Sequence, residues 1–237
     1  MTKDPETITL PGPLPGDPPL AVRLHRSARA RRVSLRVSRL DGAVTLTLPA
    51  RAPLRGALEF LEERRDWLSA AVAGLERPLA VAPGLLLPVE GQALTLTAAP
   101  VRAARIEGAA LLVPAARPAA AALAFLKLRA RDRLAQRVAR HSTALGRTAG
   151  KLTLRDTRSR WGSCTASGDL MFNWRLILAP PPILDYVAAH EVAHLAQMNH
   201  SPAFWAEVAR LFPAHREARR WLKAEGAALH RYRFGPA

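Results

Sequence analysis

Residues 181–200 read PPILDYVAAHEVAHLAQMNH, and within them His190, Glu191 and His194 form the pattern H-E-x-x-H. On a helix, residues four apart project from one face, so both imidazoles can bind one divalent cation while the glutamate reaches a water on it. Such a pentapeptide arises by chance in roughly one chain in a hundred of this length and make-up, so its flanks decide whether it is believed. They read as a helix. Ile183, Val187, His190 and His194 recur at helical spacing, Pro181 and Pro182 suit a helix start, and the turn-prone run from Gln197 to Ser201 suits an end, which predicts a helix from about Pro182 to Gln197. Two histidines and a carboxylate on a partly apolar helix are costly to bury unless a cation or a charge partner compensates.

A hydrolytic zinc site takes three protein ligands and leaves a fourth position open. His200 is the third-ligand candidate, because a chain turning after Gln197 can fold back toward the cation, and Asn199 tolerates the left-handed backbone such a turn demands. The rival is Glu207 on the next predicted helix. The spacing H-E-x-x-H-x5-H equals that of the metzincins, yet Gln197 stands where they carry glycine and no methionine follows His200. His200 is favoured, since imidazole is a common zinc ligand and its spacing assumes nothing about how a second helix docks.

Other stretches accompany the helix: RWGSC at 160–164, NWRL at 173–176 and NHSPAFW at 199–205. In this order they resemble the YgjP-like metallopeptidases, small bacterial relatives of the SprT and WLM zinc proteases. The likeness extends to RSARARRVSLRV at 26–37 and EERRDWL at 62–68, so that it spans roughly residues 20 to 230. It implies a zincin-like fold and a three-histidine zinc site at His190, His194 and His200, with Glu191 as catalytic base; it implies little about the substrate. The family often has Leu-Cys between the glutamate and the second histidine, where this chain has Val192 and Ala193, which leaves the ligand set intact.

Composition narrows the setting. A chain of 237 residues with 49% hydrophobic residues can bury one substantial core or two small ones. Cys164 is the single cysteine, so no intramolecular disulfide forms and a reducing compartment is expected. No continuous apolar stretch reaches the length of a membrane span or forms a signal peptide, which points to a cytoplasmic protein. The net charge is +16, and of the 35 basic residues only Lys3, Lys127, Lys151 and Lys223 are lysine. Arg23, Arg26, Arg29, Arg31, Arg32, Arg36 and Arg39 crowd one segment, a surface that attracts a polyanion such as nucleic acid unless it is simply a solvated strand face. A second run, Lys127, Arg129, Arg131, Arg133, Arg137 and Arg140, reads as a solvated helix surface.

The chain is expected to be α+β, with a flexible Pro-rich tail (1–19), an amino-terminal β-rich subdomain with a covering helix (20–115), and a zincin-like metallopeptidase core (116–237). Val33, Leu35 and Val37, then Val44, Leu46 and Leu48, alternate on either side of a turn at Asp41-Gly42, which predicts a hairpin. A helix from about Pro53 to Leu75 should cover it. Strands at 85–87, 93–97 and 110–113 should complete the amino-terminal layer, and a long helix from about Pro118 to Leu145 should back the core. Strands at 152–155 and 169–178 lead to the metal-bearing helix, with Phe172–Arg175 as the expected free edge for an extended peptide. Ser201 and Pro202 should cap the helix carrying Phe204 and Trp205. Trp161, Trp174 and Trp205 read as packing anchors rather than a base-stacking platform, and Cys164 as a packing residue.

A zinc-dependent peptidase acting on a peptide or protein substrate follows, with Tyr186 or Arg160 as the oxyanion donor. A phosphate-ester hydrolase and a nucleic-acid-associated protease or binding module are the alternatives.

Overall fold

The computed structural model describes residues 7–10, 19–38, 42–73 and 78–235. The chain is mixed α+β and divides into two compact units, Met1–Pro78 and Leu79–Ala237, each with its own apolar core.

In the first unit β1 (Thr7–Leu10), β2 (Leu20–Ser27), β3 (Ser34–Val37) and β4 (Val44–Pro49) form one sheet in the order β1-β2-β4-β3. β2 runs parallel to β4, while β1 and β3 run antiparallel to their neighbours. Alternation along the strands turns Val22, Leu24, Val44, Leu46 and Leu48 to one face, where they pack with Ala57 and Leu61 of α1 (Leu54–Glu63) and Leu68 of α2 (Arg65–Ala73). The β3/β4 pair is the expected hairpin. Gly42 adopts φ 69° in its turn, and Asp41 lies outside the described residues.

Two expectations change here. The single covering helix is two helices broken at Arg64 (φ −100°, ψ 9°), and its expected end at Leu75 lies outside the described residues. On either side of the break, Ala57 and Leu61 of α1 and Leu68 of α2 all pack into the same core. Residues Thr7–Leu10, expected within the flexible tail, pair with β2 instead, because Ile8 and Leu10 alternate onto its apolar face.

The second unit opens with β5 (Leu79–Ala80), then builds another four-stranded sheet from β6 (Leu86–Val89), β7 (Gln92–Ala99), β8 (Arg105–Glu107) and β9 (Ala110–Pro114). Its order is β6-β7-β9-β8 with β7 parallel to β9, so it repeats the order and strand directions of the first sheet. These strands do not complete the amino-terminal layer as expected. Leu87, Leu94, Leu96, Leu111 and Val113 share a core with Leu126, Ala130 and Leu134 of α3 (Pro118–Leu145), which moves the boundary between units from residue 115 to Pro78. The long helix has its expected bounds and stops at Gly146, which takes φ 71°. Two residues of its basic run, Arg129 and Arg133, pair with Glu90, the latter at 2.6 Å. They hold the tight β6–β7 turn, where Glu90 itself has φ 50°.

A third sheet comprises β10 (Leu152–Arg155), β11 (Gly162–Cys164) and β12 (Leu170–Asn173), in the order β10-β12-β11. Phe172 therefore lies on the central strand, and Arg175 lies in a 3-10 turn, Trp174–Leu178, started by Asn173, whose Oδ1 accepts from the Arg175 N–H at 2.9 Å. Phe172–Arg175 is not a free edge. Among the described residues, the strand with an open side facing away from β12 and contacting the motif helix is β11. Three helices follow, α4 (Pro181–Ala193), α5 (Pro202–Leu211) and α6 (His215–Glu225), and β13 (Tyr232–Arg233) pairs in parallel with β5. α4 is buried on nearly every side, between α3, α5, α6 and β11, as befits a helix apolar all round. Among the described residues no helix is long and apolar enough to cross a membrane.

Candidate active site

α4 ends earlier than the spacing predicts, at Ala193, with His194 as its cap (φ −64°, ψ −20°). The next residues wind into turns, Leu195 N–H donating to Val192 O at 2.9 Å and Gln197 N–H to Ala193 O at 3.1 Å. This brings the Gln197 carbonyl 3.0 Å from His194 Nδ1. A carbonyl only accepts, so Nδ1 carries the proton and Nε2 keeps its lone pair. Asn199 does not use the left-handed backbone expected of it; its side chain accepts from the Ser201 N–H at 3.3 Å instead. Ser201 Oγ in turn accepts from Phe204 N–H and caps α5, which sets Phe204 flat against His194, with ring centroids 4.4 Å apart, and edge-on to His190 and His200.

His190, His194 and His200 are thereby gathered, with candidate ligand nitrogens within 4.8 Å of one another. The Nε2 atoms of His190 and His200 lie 3.2 Å apart. Glu207 is elsewhere: its carboxylate accepts from Arg210 at 2.8 Å. Burial, then the neighbouring histidines and Arg219, push the pKa of His190 down to about 3, and burial lowers that of His194 against the opposing bond to Gln197. Both rings are neutral at pH 7, the form in which imidazole binds a metal. His190 Nδ1 is buried without a hydrogen-bond partner.

Glu191, 5% exposed, faces β11. Burial pushes its pKa up to about 8, against the opposing charge of Arg160. Gly162 makes the approach possible, since a Cβ there would lie 2.4 Å from Glu191 Oε1. A cavity of about 510 Å³ is lined on one side by Ser159, Arg160, Gly162, Ser163 and Cys164 and on the other by His190, Glu191, His194, Met198 and His200. Of the two oxyanion donors considered from the sequence, Arg160 lines this cavity and Tyr186 does not: Tyr186 is buried between His190 and Phe212. Cys164 is on the cavity wall, and burial, then Glu191 and Asp169, raise its thiol pKa, which keeps it protonated. Gly162, Ser163 and Met198 were not expected as site residues; the short R-W-G-S-C stretch held the signal for the first two.

The N-W-R-L stretch holds that wall in place. Asn173 Nδ2 donates to Thr157 O at 2.7 Å and its backbone N–H to Trp161 O at 2.8 Å, which fastens the loop carrying Arg160. Arg175, 5% exposed, donates to both carboxylate oxygens of Asp156 (2.7 and 3.1 Å) and to the carbonyls of Leu229 and Tyr232 (3.1 and 3.0 Å). Behind α4, buried Asp185 lies 2.6 Å from His141 Nε2 and near Arg137 and Arg140 at 3.5 and 3.9 Å. Four arginines of the α3 run thus face carboxylates rather than solvent alone. The three tryptophans sit apart: Trp174 in the core, Trp161 against Gly226 and His230, and Trp205 beside the histidines under Arg219.

No curated protein matches the chain. Among solved structures, the metallopeptidase zymogen of Pyrococcus abyssi abylysin matches at 21% identity and a TM-score of 0.36, over 38% of this chain and 93% of its own. At that score the likeness carries no weight. The family model described as "YgjP-like, metallopeptidase domain" matches residues 31–225. Because that span reaches from the first unit to the last residue of α6 and takes in every residue lining the cavity, the chain belongs to the family of YgjP-like metallopeptidase domains.

Proposed function

We propose that this chain is a zinc-dependent peptidase with a zincin-like core, in which His190, His194 and His200 hold the ion, Glu191 is the general base and an extended peptide lies along the outer side of β11. The observation that carries the reading is the 3.2 Å between the Nε2 atoms of His190 and His200. Zinc–nitrogen bonds of about 2.0–2.1 Å at tetrahedral angles set two ligand nitrogens about 3.3 Å apart. Neutral imidazoles suit zinc, and the tautomer of His194 already leaves Nε2 free.

When bound, the ion supplies Lewis-acid polarisation of the scissile carbonyl and a water acidic enough to react near neutral pH. Proton traffic falls to Glu191, which accepts a proton from the attacking water and returns it to the leaving amine as the C–N bond breaks. Beside a bound cation the Glu191 carboxylate would stay available as a base despite the burial that raises its pKa. Arg160 is the donor to the developing oxyanion. The open side of β11 offers backbone groups to a peptide, and of the ten residues lining the cavity only Arg160 is an arginine, which favours a peptide over a phosphate ester. The single cysteine fits a reducing, cytoplasmic setting.

Metal content and hydrolysis of unfolded protein and mixed peptides test the reading in wild type, His200→Ala, Glu207→Ala and Glu191→Gln. About one zinc per chain is expected in all but His200→Ala, and Glu191→Gln keeps the metal while losing cleavage. Undiminished zinc in His200→Ala refutes the ligand set, and wild-type turnover in Glu191→Gln refutes the base.

A further inference from the structure

The arginines of the first unit have no part in that chemistry, yet its sheet arranges them. Opposite the buried face, register aligns Thr7, Arg23, Thr45 and Arg36 in one row across β1, β2, β4 and β3, and His25, Thr47 and Ser34 in the next. The segment joining β2 to β3 adds Arg29, Arg31 and Arg32, all exposed. Among the described residues of this unit the carboxylates are Glu59, Glu62, Glu63 and Asp66, all on the helices that pack on the other face. Arg26, whose position alternates to the helix side, is already used: it donates to the carbonyls of Ala50 and Ala52 at 3.2 and 2.9 Å.

The second four-stranded sheet serves as an internal control. Its open face aligns Leu86, Thr95, Ala110 and Glu107 in one row and Thr97, Leu112 and Arg105 in the next, and Arg105 is paired with Glu107 at 3.2 Å. A general surplus of arginine would load both faces. Only the first is loaded, and among the described residues it carries no acid.

We propose that this open face, Arg23, His25 and Arg36 with the adjoining Arg29, Arg31 and Arg32, binds the phosphate backbone of nucleic acid. Guanidinium groups take phosphate oxygens bidentately, and the interleaved threonine and serine hydroxyls are further phosphate donors. Arg23 and Arg36 stand two strand spacings apart, about 9.6 Å, a separation that a chain of phosphates spans more readily than a single one. Among the described residues the face carries no Phe, Tyr or Trp to form a stacking platform for bases and no large apolar side chain to enter a bilayer, so recognition is of the backbone and independent of sequence.

The test is fluorescence anisotropy of the full chain with labelled single-stranded and duplex DNA between about 50 and 200 mM salt. Arg23→Gln/Arg36→Gln is expected to weaken binding about tenfold or more and to reduce the salt slope by about 2. Arg55→Gln/Arg65→Gln, which removes equal charge from the helix side, changes affinity less than about threefold. Should the first double variant not fold, each single variant is expected to lose about half of that slope. The proposal is overturned if the wild type shows no salt-dependent binding, if both double variants lose affinity equally, or if the face variant loses binding to phosphatidylserine vesicles but not to DNA.

Discussion

Replacing Gly162 by alanine tests how the base is held. The added Cβ would lie 2.4 Å from Oε1 of Glu191, 2.6 Å from its Cγ and 2.7 Å from its Cδ. Carbon contacts are comfortable only from about 3.5 Å, so the two elements must part by about 1 Å. Turning the carboxylate alone brings no relief, because Cγ clashes as well and Glu191 is only 5% exposed. A misplacement of that size costs on the order of 100-fold in turnover, or about 2.7 kcal/mol of barrier, and overpacking costs roughly 1–3 kcal/mol of stability. The histidines are untouched, so zinc content should hold. The assay is kcat/KM on a peptide the wild type cleaves, with metal content and a thermal melt on the same preparations. Glu191→Asp shortens the side chain and opens the space, so in the Gly162→Ala background it should cost less than it does alone. Turnover of folded, metal-bound Gly162→Ala within twofold of wild type refutes the reasoning, as does strict additivity with Glu191→Asp.

Asp185 gives a pH-dependent prediction. Burial works against its carboxylate, but the hydrogen bond and charge of His141, with Arg137 and Arg140, outweigh it and hold the pKa below its ordinary 3.8. A depressed folded pKa means stability that is complete above the unfolded value and lost as pH falls through the folded one. The melting temperature should therefore fall on acidification below about pH 4, and Asp185→Asn should destabilise by about 3 kcal/mol at pH 7 and flatten part of that acid limb; an unaltered limb would count against the assignment. Arg175→Ala strands the Leu229 and Tyr232 carbonyls and should cost about 3 kcal/mol in denaturant unfolding. Arg175→Lys keeps the charge but not the fork and should recover less than half, so full recovery would contradict the geometry.

Periodicity exposed what periodicity controls. α3 has the bounds its apolar spacing and Gly146 predict, and the β3/β4 hairpin follows from strict alternation. Misses came where tertiary contacts decide. β8 is three residues long, too short for alternation to register, and nothing in β6 to β9 says which core their apolar side chains join. The switch from β12 to a 3-10 turn depends on the Asn173 side chain capping Arg175, a local bond that a run of apolar residues conceals. For the site, the i, i+4 histidines were legible because helix geometry makes neighbours of them, and His200 because few residues separate it from them. Gly162 lies 29 positions before Glu191, and only folding reveals that its missing side chain makes room for the base.

The short β5/β13 pair has a consequence for connectivity. Leu79 N–H donates to Arg231 O at 2.8 Å and Val81 N–H to Arg233 O at 2.9 Å, so the first and last strands of the second unit are neighbours. Its chain is nearly a ring. New termini could be cut in an exposed loop and the old ones joined, a circular permutation, with the packing around α4 unchanged.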